Sequence, residues 1–188
     1  MRGCHRGQFR PACQVGVATA IVPLGLARVY SMPIGRRGEG VGLSFDKLRE
    51  AEAGFISQQL SRSREFAAAL DPQAGDGRPS LESLDRAFEN YLASGGEPSD
   101  TNDVVQIVGI VFGVELVERL GFQWVVATDE YGTDLAVLAR PGRGDVTIFP
   151  ADFVAKRYER REAPFLVTAF AEISQHLREI AAEWDDSE

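Results

Sequence analysis

The stretch that decides the fold is residues 104–149, which read VVQIVGIVFGVELVERLGFQWVVATDEYGTDLAVLARPGRGDVTIF. Its first part is apolar on nearly every side and ends at Gly121, which predicts a helix buried at the domain centre. In the second part the period changes, and three short strand-like runs are separated by two glycine-containing turns, residues 129–132 and 141–144. This pattern predicts a three-stranded antiparallel meander over about residues 122–149, with the apolar helix sealing one face.

Two amphipathic helices are predicted before this stretch. Ser44 is a candidate N-cap for the first, whose apolar residues recur every three or four positions as far as Leu70. The dipeptide Asp71-Pro72 then stops that helix. Ser80 is the candidate cap of the second, shorter helix, which ends at Gly95-Gly96.

Two further helices are predicted after the meander, with Pro150 and Pro164 in their first turns. Within the central helix, Gly109 and Gly113 lie one turn apart, which predicts close approach of a neighbouring backbone. The expected fold class is therefore α+β: the meander packed with four to five helices, in a single domain over residues 44–188.

Charge divides the chain into two parts. Residues 1–40 carry six arginines and one acid, a net charge of +5, whereas the remainder holds 14 basic and 27 acidic residues, a net charge of −13. Because so acidic a body repels phosphate backbones, nucleic acid is an unlikely partner for the folded part. Nucleic-acid binding through the basic N-terminal segment remains a third hypothesis for function.

Residues 1–43 are predicted to be a disordered basic N-terminal extension. The apolar residues 14–27 leave a secretory signal open, although Pro23 and Gly25 interrupt them, and they are too few to span a membrane as a helix. The two cysteines, Cys4 and Cys13, both lie in this extension, so the folded region has no disulfide framework, which fits the cytoplasm. Their spacing with His5 matches no zinc pattern, so no metal site is predicted.

A family resemblance rests on the order of residues across the meander and the following helix. LGFQWVV (residues 120–126) is followed by Asp129, by Tyr131-Gly132 and by DLAV (residues 134–137), then by Phe149-Pro150, FVAKR (residues 153–157) and Phe165. Over about residues 104–170 this order resembles a bacterial family known as domain of unknown function 3806. The resemblance implies a shared fold and carries no activity, cofactor or catalytic residue across.

Two groups of residues are candidate ligand-binding sites. Lys156 and Arg157, followed by two more arginines one turn later, could receive a phosphate or the carboxylates of a partner. Asp129 and Asp134 bracket the first turn, where paired carboxylates could exchange a proton or hold a cation. Each group also has a purely structural explanation. The basic side chains could pair with neighbouring acidic residues or stabilise a helix C-terminus, and the two aspartates could simply form the turn.

No motif for a nucleophile, a metal, a cofactor or a phosphate loop stands out in the sequence. The leading hypothesis is therefore a non-enzymatic interaction or regulatory module of the bacterial cytoplasm. The sequence does not identify its partner; another protein is one candidate, and no membrane association is predicted. The alternative is a small enzyme or anionic-ligand binder that uses Lys156, Arg157 and the carboxylates of the hairpin turn.

Overall fold

The computed structural model describes residues 43–95, 100–130, 132–140 and 145–185 of the chain. These residues form five helices and one antiparallel sheet, which confirms the predicted α+β class. In chain order the elements are β1 (Ser44–Lys47), α1 (Glu50–Leu70), α2 (Leu81–Ala93), α3 (Thr101–Leu120), β2 (Gln123–Asp129), β3 (Gly132–Ala139), β4 (Val146–Ile148), α4 (Pro150–Arg160) and α5 (Leu166–Asp185).

Three features predicted from sequence lie outside these residues. They are nearly all of the N-terminal extension (residues 1–42), the second meander turn (residues 141–144) and Gly96 at the predicted end of the second helix. Among the helices that the structure describes, none combines the length and the apolar character needed to cross a bilayer.

The sheet has four strands in the order β1-β2-β3-β4, so the predicted count of three was one too few. The three meander strands pair as predicted, for example Val126 with Leu135 and Val137 with Ile148. The additional strand is β1, which pairs antiparallel with β2 from Ser44 opposite Thr128 onward.

Ser44 is therefore not a helix cap, and this prediction was wrong. Residues 44–47 form a strand because the free edge of β2 offers backbone partners, which no local pattern reveals. The first helix begins six residues later, at Glu50. There the carboxylate of Glu52 accepts a hydrogen bond from the backbone N–H of Arg49 at 2.9 Å and satisfies one exposed donor of the first turn.

The central helix α3 is buried along most of its length, as its apolar sequence predicts. Every residue from Val104 to Leu116 except Gln106 is buried. The helix ends at Gly121, whose φ of 73° lies in the left-handed region that glycine adopts without steric cost.

Gly109 and Gly113 allow the close approach that their spacing predicts. A Cβ atom at Gly109 would lie 2.8 Å from both the N and the Cα of Ala151, so the first turn of α4 packs directly on the α3 backbone. A Cβ at Gly113 would overlap the indole ring of Trp124, which covers the helix from β2.

One hydrophobic cluster joins α2, α3, α4, α5 and the helix-covered face of the sheet. At its centre the rings of Phe112 and Phe153 stack at 5.2 Å between centroids, and Phe165 lies edge-on to Phe88 at 5.6 Å. A second, smaller cluster joins α1 to α3 and to the same face of the sheet. The helices thus form one layer and the sheet the other.

Candidate functional site

The carboxylates of Asp129 and Asp134 lie on the same face of the β2–β3 hairpin. Asp129 is opposite Gly132 and Asp134 is opposite Ala127, which makes the two residues diagonal neighbours across the strands. Asp129 also serves the turn, because its Oδ1 accepts a hydrogen bond from the Gly132 N–H at 3.1 Å. The structure therefore brings these two predicted residues together and gives one of them a structural role.

Asp134 lies in an environment that disfavours its charge. Although the residue reaches solvent, desolvation by surrounding atoms raises the pKa of its carboxyl, and the negative charge of Asp152 on α4 adds to the effect. A hydrogen bond from the Leu135 N–H at 2.7 Å acts in the opposite direction and lowers the pKa. The charged form of Asp134 is thus disfavoured mainly by desolvation and, to a smaller extent, by the charge of Asp152.

Arg157 is 5% exposed and points into the hydrophobic core. Its guanidinium stacks over the Phe153 ring at 3.7 Å and lies 5.6 Å from the Phe165 ring, while its Nη1 donates to the Phe153 carbonyl at 3.3 Å. Burial lowers the pKa of this guanidinium, and the carboxylate of Glu162 partly offsets that effect. The side chain contributes cation–π packing between α4 and the start of α5.

The rest of the basic cluster divides between the interior and the surface. Arg161 donates to the Leu92 carbonyl at 2.5 Å, near the end of α2, where a cation is favoured by the helix dipole. Lys156 is half-buried and Arg160 is exposed. Of the four predicted site residues, Asp129 and Asp134 adjoin on the hairpin, whereas Arg157 packs in the core with Lys156 beside it on α4. An anion site on Lys156 and Arg157 stays a prediction.

Asp85 is an important polar residue that the sequence analysis missed. It lies on the buried face of α2 and is 4% exposed. Its Oδ1 accepts hydrogen bonds from the N–H groups of Phe165 and Leu166 at 2.9 and 2.8 Å, and its Oδ2 accepts one from Val167 at 3.1 Å. The carboxylate therefore caps α5 from a different helix. Its sequence signal is an acid between Leu84 and Phe88, on an otherwise apolar face.

Asp71 was interpreted from sequence only as a helix stop, yet it organises the α1–α2 connection. Its buried carboxylate accepts from the Ser83 hydroxyl at 2.6 Å, from the Gln73 N–H at 3.0 Å, and from Arg86 Nε and Nη2 at 3.1 and 2.9 Å. The Arg86 guanidinium, followed by the Ser83 hydroxyl, holds the pKa of this carboxyl well below its usual range.

An open cleft of about 240 Å³ adjoins this ion pair and is lined by Asp71, Pro72, Gln73, Arg86, Glu89 and Asn90. Asp71 and Arg86 neutralise each other there, and Asn90 donates to the Leu70 carbonyl at 2.8 Å. Throughout the described part of the chain, no group of three or more His, Cys, Asp or Glu side chains is arranged to hold a metal ion. Cys4, His5 and Cys13 lie outside that part.

Comparison with known proteins supports the fold. Residues 81–170 match the family described as Domain of unknown function (DUF3806), which confirms the resemblance over that segment. No curated protein matches the chain. A crystal structure of a protein from Bacteroides thetaiotaomicron VPI-5482 is similar, with a TM-score of 0.54 and 17% identity over 76% of this chain and 51% of that one. The chain therefore spans about half the length of that protein, and the likeness shows a common fold alone.

Proposed function

We propose that this chain, in which residues 81–170 match a family of unknown function, is a non-enzymatic interaction module that binds a basic segment of a partner protein. We place the binding at Asp129, Glu130, Asp134 and Asp152, which together are called the hairpin acidic surface. The proposal includes a bacterial cytoplasmic setting, motivated by the cysteine-free sequence of the folded region.

The observation that carries the proposal is the placement of Asp129 and Asp134 as diagonal neighbours on one face of the β2–β3 hairpin. The negative charge of Asp152 on α4 also contributes to raising the pKa of the Asp134 carboxyl, after desolvation. A lysine or arginine of a partner would be attracted by these carboxylates, so the surface is electrostatically complementary to a cation.

Internal pairing of the arginines supports the same conclusion. Arg62 pairs with Asp103, Arg86 pairs with Asp71, and Arg78 pairs with two glutamates of α3. These cations neutralise acids within the fold, whereas residues 41–188 together retain a net charge of −13. A surface of this sign steers basic partners and disfavours acidic ones.

The test is binding of a fluorescent lysine- and arginine-rich peptide to the full chain, followed by anisotropy. We expect saturable binding that weakens as salt rises. The double variant Asp134→Asn/Asp152→Asn should weaken it by about 2- to 30-fold, since an exposed charge pair contributes about 0.2–1 kcal/mol.

The matched control is Asp76→Asn/Glu89→Gln, which removes the same charge from exposed positions around the α1–α2 connection. It should leave the affinity within about twofold, because screening limits the reach of an exposed charge to about 10 Å. Equal losses in both double variants would assign binding to net charge and contradict the hairpin site. Absence of binding at low salt would contradict the proposal as a whole.

A further inference from the structure

The connection between α1 and α2 holds a guanidinium in a fixed orientation. Arg86 donates from Nε and Nη2 to the two oxygens of Asp71, whose side chain is fully buried, whereas the side chain of Arg86 is 41% exposed. Two parallel hydrogen bonds to one carboxylate fix the plane of a guanidinium. The Ser83 hydroxyl and the Gln73 N–H hold Asp71 in turn, so four hydrogen bonds set the orientation of the pair.

Part of this guanidinium remains available to a ligand. Arg86 lines the open cleft of about 240 Å³ together with Gln73, Glu89 and Asn90. Among the described residues, Nη1 of Arg86 makes no hydrogen bond, and neither does the side chain of Gln73 or that of Glu89. Asn90 donates to the Leu70 carbonyl and keeps its own Oδ1 as an acceptor. The cleft therefore combines unused donors with unused acceptors.

The charged side chains of the cleft leave a separate positive and negative contact. Asp71 and Arg86 compensate each other, whereas Glu89 has no ion pair with any described residue. Glu89 follows Arg86 by three positions on α2. Residues at this spacing are neighbours on a helix surface, with about 5–6 Å between their Cβ atoms. A guanidinium edge and a free carboxylate are thus presented side by side.

We propose that this cleft binds a free α-amino acid, whose carboxylate accepts from Arg86 Nη1 and whose ammonium group pairs with Glu89. A simple anion would be repelled by Glu89, and a simple cation would leave the Arg86 donors unmatched. The cleft is also smaller than the roughly 300–1,000 Å³ of pockets for drug-sized ligands, which favours a small molecule. The proposal does not depend on the hairpin acidic surface.

The test is an NMR titration of the isotope-labelled full chain with each standard L-amino acid singly, at constant pH and ionic strength. We expect saturable shifts of the side-chain amide signals of Gln73 and Asn90 with at least one amino acid. The side-chain amide of Gln59, which is buried on α1 outside the cleft lining, is the internal reference. Unchanged Gln73 and Asn90 signals with every amino acid would overturn the proposal, and so would equal shifts of Gln59.

Blocked forms of the amino acid that binds best separate the two contacts. The N-acetyl form lacks the ammonium group and the amide form lacks the carboxylate. Each should bind about tenfold more weakly than the free amino acid, which corresponds to about 1.4 kcal/mol. If either blocked form binds as tightly as the free one, the zwitterion assignment is wrong.

A pair of variants assigns the ammonium contact to its residue. Glu89→Gln should weaken binding of the free amino acid by about tenfold and leave the affinity for the N-acetyl form within about twofold, because it removes only the partner of the ammonium group. The matched control is Asp76→Asn, which removes the same charge from an exposed position of the same connection outside the cleft lining. Equal losses in the two variants would assign the effect to net charge and overturn the site.

Discussion

Asp85 caps the N-terminus of α5, although it lies about eighty residues earlier in the chain. Three backbone N–H groups at the helix N-terminus have no partner within the helix, and all three donate to this one carboxylate. The negative charge also lies where the helix dipole is positive. The contact therefore joins α2 to α5 through a polar group inside an apolar interface.

We expect Asp85→Ala to lower the free energy of unfolding by about 2–4 kcal/mol, because it leaves buried donors unsatisfied. Asp85→Asn should lower it less, since the remaining carbonyl oxygen still accepts. Urea unfolding followed by circular dichroism measures both. Glu89→Ala, on the exposed side of the same helix, is the control and should change stability by less than about 0.5 kcal/mol. Similar losses for Ala at both positions would refute the capping role.

The Asp71 carboxylate makes stability depend on pH in a predictable direction. Its folded-state pKa is lowered by Arg86 and Ser83, so its contribution is present above the ordinary pKa of about 4 and is lost as pH falls. Asp71→Asn removes the titrating group. The stability difference between the native chain and this variant should therefore shrink from about pH 6 to about pH 3. A difference that stays constant across that range would contradict this assignment; Asp76→Asn controls for the lost charge.

At the scale of elements, the decisive contact is the crossing of α3 and α4. Ala151 approaches the α3 backbone at Gly109, and this contact brings Phe153 onto Phe112. A side chain at position 109 would collide with backbone atoms of α4, which cannot move aside as the end of a flexible side chain can. The close crossing of α3 and α4 therefore depends on the absence of a Cβ atom at Gly109.

We expect Gly109→Ala to lower the free energy of unfolding by about 1–3 kcal/mol through overpacking. The matched control is Gly54→Ala, which is also within a helix but has nothing within 4 Å of the added Cβ. It should raise stability by about 0.5–1 kcal/mol, because alanine is the better helix former. Thermal unfolding of the two variants should move in opposite directions, and a shift of the same sign in both would disprove the close-packing explanation.

At the scale of the whole molecule, the sheet and the helix layer differ in how they are completed. The helices bury their apolar stripes against one another and against the inner face of the sheet. The strands bury residues on both faces, although α3 and α4 cover only one. The main hydrophobic core therefore lies between the helices and the helix-covered face of the sheet.

The local sequence was sufficient to predict most of the elements. Helix α3, the hairpin and the proline-initiated α4 follow from periodicity, turn residues and caps, which act over a few neighbouring positions. The glycine pair in α3 also indicated close packing correctly. The same reasoning wrongly made Ser44 the N-cap of a helix, because it could not detect that residues 44–47 pair with the edge of β2.

The candidate site was less accessible to sequence reasoning. Asp129 and Asp134 could be paired from the hairpin pattern, because a strand register relates residues across a short turn. That Arg157 enters the core, that the charge of Asp152 acts on Asp134 and that Asp85 caps α5 depend on how distant elements meet. The sequence by itself determined where helices and strands form, since those preferences are local. Only the tertiary structure decided which charges are buried, paired or opposed, because that requires contacts between residues far apart in the chain.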